Sequence, residues 1–139
     1  MQTQTSKTEV VQTDDAPKAV GPYTQGRTIA GGSKLLFTAG QIGLDPSTSK
    51  LVSEDVVEQA EQAIKNLEAV LVSGKSSLNN VLKATLFLVD MGDFAKVNEL
   101  YAKKFKEPFP ARSTVAVKQL PLGAKFEIEA IAFVDESLQ

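Results

Sequence analysis

The sequence predicts an α+β layer sandwich, a mixed sheet with two helices on one face, in the approximate order βββαβαββ. Three observations lead there. One long segment repeats its apolar residues at helical spacing, a shorter one does so after a strand, and the C-terminal stretch alternates with period two. A chain of 139 residues, 42% hydrophobic and 23% charged, has room for one core. Residues 8–139 therefore read as a single domain behind a flexible tail at residues 1–7.

Taken in order, "TEVVQT" is a short first strand, and "DDAPKAVGPYTQG" sets two prolines and two glycines around Tyr23 in an ordered loop. "RTIA" and "KLLFTAGQI" are strands, with Gly31 and Gly32 between them reading as a hairpin turn. In "SEDVVEQAEQAIKNLEAVLVSG", Val56, Ala60, Ala63, Ile64, Leu67, Val70 and Leu71 fall on one helical stripe. Ser53 reads as the cap, Glu54 and Asp55 suit the positive end, and Gly74 closes the helix. "VLKATLFLVD" is a strong strand. "MGDFAKVNELYAKKF" is a second helix, capped by Asp90 or Asp93, with Phe94, Val97, Tyr101 and Phe105 as its apolar stripe; Pro108 and Pro110 stop it. "ARSTVAV" and "KFEIEAIAFV" are the last strands, joined by "KQLPLGA".

Alternation assigns faces in those last two strands. Ser113, Val115 and Val117 oppose Arg112, Thr114 and Ala116; Phe126, Ile128, Ala130 and Ala132 oppose Glu127, Glu129 and Ile131. If the strands pair as a hairpin with Lys118 opposite Lys125, then Thr114 faces Glu129, Ala116 faces Glu127, and Arg112 faces Ile131. An arginine and two glutamates would then share one surface. That surface is either the solvated side of a sheet or a cleft where Arg112 grips a carboxylate and a glutamate handles protons. Periodicity does not choose between the two.

Composition narrows the chemistry. There is no cysteine and no histidine, which removes thiolate nucleophiles, zinc–thiolate sites, imidazole bases and histidine triads. A general base must be a carboxylate, a tyrosine, a shifted lysine or the substrate itself. The net charge of -2 and the isoelectric point near 5.2 argue against nucleic acid as a partner, because binding a polyanion needs clustered cations. "SGKSS" at residues 73–77 ends like a phosphate loop, but it has Ala69 where a glycine is required and follows a helix. The lysines and aromatics of "YAKKFKEPF" belong to the second helix's end and stripe. The N-terminal residues carry neither a secretory nor an arginine-rich targeting pattern, and no apolar run has membrane-spanning length, so a soluble cytoplasmic protein is expected, with the mitochondrion as the alternative.

Five stretches, "GPYTQG", "FTAGQI", "KVNELYAKKF", "FPARSTVAV" and "FEIEAIA", resemble in order and spacing the RidA (YjgF) family of reactive-intermediate deaminases over residues 9–134. The resemblance implies a chorismate-mutase-like protomer that assembles as a homotrimer, with a site at each subunit boundary and no metal or cofactor. It also implies hydrolysis of 2-iminobutanoate and 2-iminopropanoate to 2-oxo acids and ammonia, a metabolite damage-control role. Carried over, Arg112 binds the substrate carboxylate and Glu127 positions or deprotonates the attacking water, with Glu129 as a supporting neighbour. Tyr23 completes the catalytic set by ordering the water or the imine. Gly40 lets backbone approach the ligand, Asn98 supports the site, and Thr114, where many members have cysteine, offers its backbone carbonyl to the imine nitrogen. The alternative is a non-catalytic trimer that binds small 2-oxo or 2-imino acids, or acts as a chaperone-like interaction protein.

Overall fold

The computed structural model describes residues 7–136. The expected tail at residues 1–7 lies outside that range except for Lys7, whose carbonyl accepts from the Ala30 amide at 2.8 Å. Strands β1 (Thr8–Val11) and β2 (Gly26–Ile29) form an antiparallel ribbon. Then come β3 (Leu35–Phe37), β4 (Gln41–Ile42), the small β5 (Leu44–Asp45) and β6 (Lys50–Leu51) pair, and helix α1 (Val56–Ser73). Next are β7 (Val81–Leu88), α2 (Phe94–Lys104), β8 (Ala111–Ala116) and β9 (Phe126–Phe133). The main sheet runs β3-β9-β7-β8, with β4 also pairing β9. The fold is the expected α+β sandwich; the strand read over "KLLFTAGQI" is split into β3 and β4, and β5 and β6 are short additions.

Both helices bury their stripes against the same sheet face. Ala60, Ala63, Ile64, Leu67 and Leu71 of α1, and Val97 and Tyr101 of α2, meet Ala84, Leu86 and Leu88 of β7 and Phe126, Ile128, Ala130 and Ala132 of β9. Val70 lies outside this core and is exposed, because it falls at the edge of the helical stripe. The helix cap is Asp55, whose carboxylate accepts from the Glu58 amide at 2.9 Å. Ser53 sits two residues before the cap, and its hydroxyl accepts from the Asp55 amide. Gly74 closes the helix as expected.

Two connections differ from the sequence reading. Gly31 and Gly32 do not close a hairpin: β2 pairs with β1 and β3 with β9, so the glycines carry the chain from one sheet to another. Nor do β8 and β9 pair. Strand β8 lies parallel to β7 at the sheet edge, and β9 lies antiparallel on β7's other side. The helix between β7 and β8 is the reason, since a strand–helix–strand crossover returns the chain parallel. The proposed register, Thr114 on Glu129 and Ala116 on Glu127, is therefore replaced by Ala84↔Arg112 and Leu86↔Thr114 on one side of β7, and by Ala84↔Ala130 and Phe87↔Glu127 on the other.

One glycine holds the layers close. A Cβ at Gly43 would lie 2.5 Å from the carbonyl oxygen and 2.7 Å from the Cα of Gln59 on α1. Backbone cannot step aside as a side-chain tip can. Gly43→Ala is expected to cost about 1–3 kcal/mol through overpacking, read as a lower urea midpoint with an unchanged slope.

Candidate active site

The face change on β8 moves Arg112 away from the glutamates. Paired residues on neighbouring strands share a face, so Arg112 and Thr114 lie on the helix side with Ala84, Leu86 and Ala130. Glu127 and Glu129 lie on the open side with Phe87 and Thr85. Within one protomer the predicted residues form two clusters on opposite faces.

The first cluster is built where β8 meets α2. Arg112 Nη1 donates to Asn98 Oδ1 at 2.7 Å. Three rings surround the guanidinium, with its Cζ 4.8 Å from the Tyr101 centroid and 5.7 Å from those of Tyr23 and Phe94. Burial lowers the Arg112 pKa, and Tyr101 and Tyr23 partly offset this. The group stays charged, since an arginine starts too high to lose its proton. Among the described residues no carboxylate pairs with it. Tyr23 Oη accepts from the Val20 amide at 3.3 Å, and a Cβ at Gly21 would reach the Tyr23 ring and the Asn98 amide at ordinary contact distance. The Thr114 hydroxyl oxygen is buried with no hydrogen-bond partner among the described residues.

Sequence reasoning missed what holds this cluster in place. The Thr24 amide donates to Pro110 O at 3.2 Å and its hydroxyl donates to Phe109 O at 3.0 Å. Arg27 Nη1 donates to the carbonyls of Pro108 and Phe109, both at 3.2 Å. These bonds fix the segment that leads into β8. The apolar spacing of Phe94 and Tyr101 reads as core stripe alone. Their spacing from Asn98, four residues before and three after, was the available signal, because such positions share a helix face. A cleft of about 520 Å³ lies beside the cluster; Tyr23, Thr24, Glu107, Pro108 and Phe109 line it, and neither Arg112 nor Glu127 does.

The second cluster is made by a slip in the sheet. Between Phe37↔Ile131 and Gln41↔Ile128 the register shifts by one residue, a bulge that re-aims the chain at Gly40. Thr38 pins the bulge to Ala130, its amide donating to Ala130 O and its hydroxyl accepting from the Ala130 amide, both at 3.0 Å. Gly40 then lies so close to the Glu127 carboxylate that a Cβ there would collide with Glu127 Oε2. Any side chain at position 40 would have to push the Glu127 carboxylate aside.

Glu127 is held above the ordinary glutamate pKa, first by burial and then by the negative charge of Glu129. The folded protein therefore binds this proton more tightly than the unfolded chain does. That contribution to stability is complete below the unfolded pKa and is lost as pH rises through the raised folded value. Raising the pH from about 4 to about 7 is expected to lower the Tm of the parent more than that of Glu127→Gln in circular-dichroism melts.

A mixed sheet with both helices packed on one face is the architecture of the chorismate-mutase-like class of small α+β proteins. The family model described as Endoribonuclease L-PSP matches residues 13–134. The chain is 45% identical over 124 residues to the 2-iminobutanoate/2-iminopropanoate deaminase of Mus musculus, covering 89% of this chain and 90% of that one. It is similar to the crystal structure of RidA from an Antarctic Psychrobacter, with a TM-score of 0.70 and 40% identity over 91% of this chain and 99% of that one. It is also similar to E. coli TdcF with bound serine, with a TM-score of 0.68 and 38% identity over 91% and 99% of the two chains. The chain belongs to the RidA (YjgF) family.

Proposed function

We propose that this protein hydrolyses small 2-imino acids, 2-iminobutanoate and 2-iminopropanoate, to the 2-oxo acids and ammonia, at sites completed between the subunits of a homotrimer. The observation that carries this reading is the half-buried guanidinium of Arg112, which has one donor on Asn98 and no acid partner among the described residues. A planar cation so placed suits a small carboxylate held by two parallel hydrogen bonds. The deaminase name of the mouse relative and the amino acid bound to TdcF point to substrates of that size and charge.

The opposite placement of Arg112 and Glu127 supports the assembly. One chain cannot aim both at the same small molecule. A second copy whose open sheet face abuts the first cluster can supply Glu127 and Gly40. That open face is apolar at its rim, with Phe37 68%, Val115 42% and Leu35 38% exposed. Surface of this kind suits contact with another subunit.

In the assembled site Arg112 holds the carboxylate, and the Thr114 carbonyl accepts a hydrogen bond from the protonated imine nitrogen. Protonation draws electrons from the carbon–nitrogen double bond. Water adds to the carbon as Glu127 takes its proton, and Tyr23 orients the water. The raised pKa makes Glu127 a stronger base than a solvated glutamate, once ionised. Glu127 then returns that proton to the carbinolamine nitrogen, the carbon–nitrogen bond breaks, and ammonia leaves as the hydroxyl gives its own proton to Glu127 and becomes the carbonyl. Gly40 admits the ligand close to backbone.

The test is ammonia release from imines generated in place by a pyridoxal-phosphate-dependent dehydratase, over side chains of increasing size. Release faster than the spontaneous rate is expected, with Glu127→Gln slowing turnover by about 10²- to 10⁴-fold. Release at the spontaneous rate, together with tight 2-oxobutanoate binding, would instead show a binding module. RNA as a substrate draws no support from a chain of net charge -2 without histidine.

A further inference from the structure

We propose that Tyr101 is a positioning residue for the reaction, the floor that fixes the plane of the Arg112 guanidinium. This rests on Arg112 being the carboxylate holder. The single hydrogen bond to Asn98 anchors one nitrogen of the guanidinium and leaves its plane free to turn. A fork that grips a carboxylate through two parallel bonds works only if that plane is held. The Tyr101 ring is the nearest of the three aromatic faces, at 4.8 Å. It is also the most firmly seated, being fully buried and packed on Phe105 with centroids 4.2 Å apart. Tyr23 stands on a loop and Phe94 is only partly buried, so neither is a comparable floor.

The ring also answers the charge. With no carboxylate beside Arg112 among the described residues, the negative faces of the aromatic rings are what oppose its charge there. They do so without occupying the donors that the substrate needs. An acid in the same place would bind those donors and compete with the substrate carboxylate. Tyr101 lies beneath the cation within the core, so it acts on the ligand only through Arg112.

The test compares three changes by Tm, by the dissociation constant of 2-oxobutanoate and by KM and kcat on the imine. Tyr101→Phe keeps the ring and is expected to bind within about twofold of the parent. Tyr101→Leu removes the π face and is expected to weaken binding on the order of 10-fold, mostly in KM. Phe105→Leu, which loosens the seat of Tyr101 but keeps its π face, is expected to lower Tm and to weaken binding much less than Tyr101→Leu does. Should Tyr101→Leu fail to fold, phenylalanine analogues with increasing ring fluorination at position 101 keep the shape and drain the π face, and binding is expected to weaken stepwise. Flat binding across that series, or equal effects of Tyr101→Leu and Phe105→Leu, would overturn the assignment. Arg112→Ala in the same assay separates the two readings. If it binds 2-oxobutanoate like the parent, the carboxylate role of Arg112 fails; if it loses binding while the position-101 series stays flat, only the role of Tyr101 fails.

Discussion

Arg112→Ala is expected to abolish measurable 2-oxobutanoate binding and to lower kcat/KM on 2-iminobutanoate by about 10²- to 10³-fold, the usual scale for removing one member of a buried charge pair at a binding site. The fold is expected to tolerate the change. Arg112 sits on an edge strand, and its cation is half-buried with no acid partner among the described residues, so its loss strands no opposite charge. The bond to Asn98 and the contacts with the three rings are lost. Arg112→Lys keeps the charge and forfeits the fork, so binding is expected between the two extremes. Calorimetric titration with 2-oxobutanoate, beside a thermal melt of each variant, checks all three.

The second large effect is a recovery. Arg112→Ala and Glu127→Gln are each expected to be nearly inactive alone. Refolded together at equal amounts, they are expected to regain about one quarter of parental activity, because random assembly of a ring brings an intact Arg112 from one chain to an intact Glu127 from the next at that share of boundaries. The expectation follows from the opposite faces on which the two residues lie. A site contained in one chain cannot recover by mixing. Ammonia release from the mixture, against each variant alone, decides between a shared and a private site.

The sandwich itself was legible because its helices have long, one-sided apolar stripes. α1 runs 18 residues, and α2 places Val97, Tyr101 and Phe105 inward as its spacing requires. The sense of β8 was also available, since a helix precedes it, but its apolar pattern pointed the wrong way. Val115 made the Ser113 side look like core, yet that side is the open one, and Arg112 points toward the helices. Alternation reports which residues share a face. It does not report which face is covered, least of all on an edge strand.

The site residues were legible only through family motifs, and those name residues without placing them. The contact of Gly40 with Glu127 depends on a one-residue slip in pairing between distant strands, which no local pattern announces. The grip of Thr24 and Arg27 on the segment before β8 joins residues more than 80 positions apart. The rings around Arg112 were hidden differently. Tyr101 fits a core stripe so well that its second role left no separate trace in the spacing.

A guanidinium left without an acid companion does not distinguish a metabolite from a buffer. Phosphate, sulfate or acetate offers it the same oxygens, so the choice of assay salt belongs to the chemistry of this pocket. If the proposed reaction runs at this site, its 2-oxo acid products present the same carboxylate to Arg112, and added 2-oxobutanoate is expected to slow ammonia release.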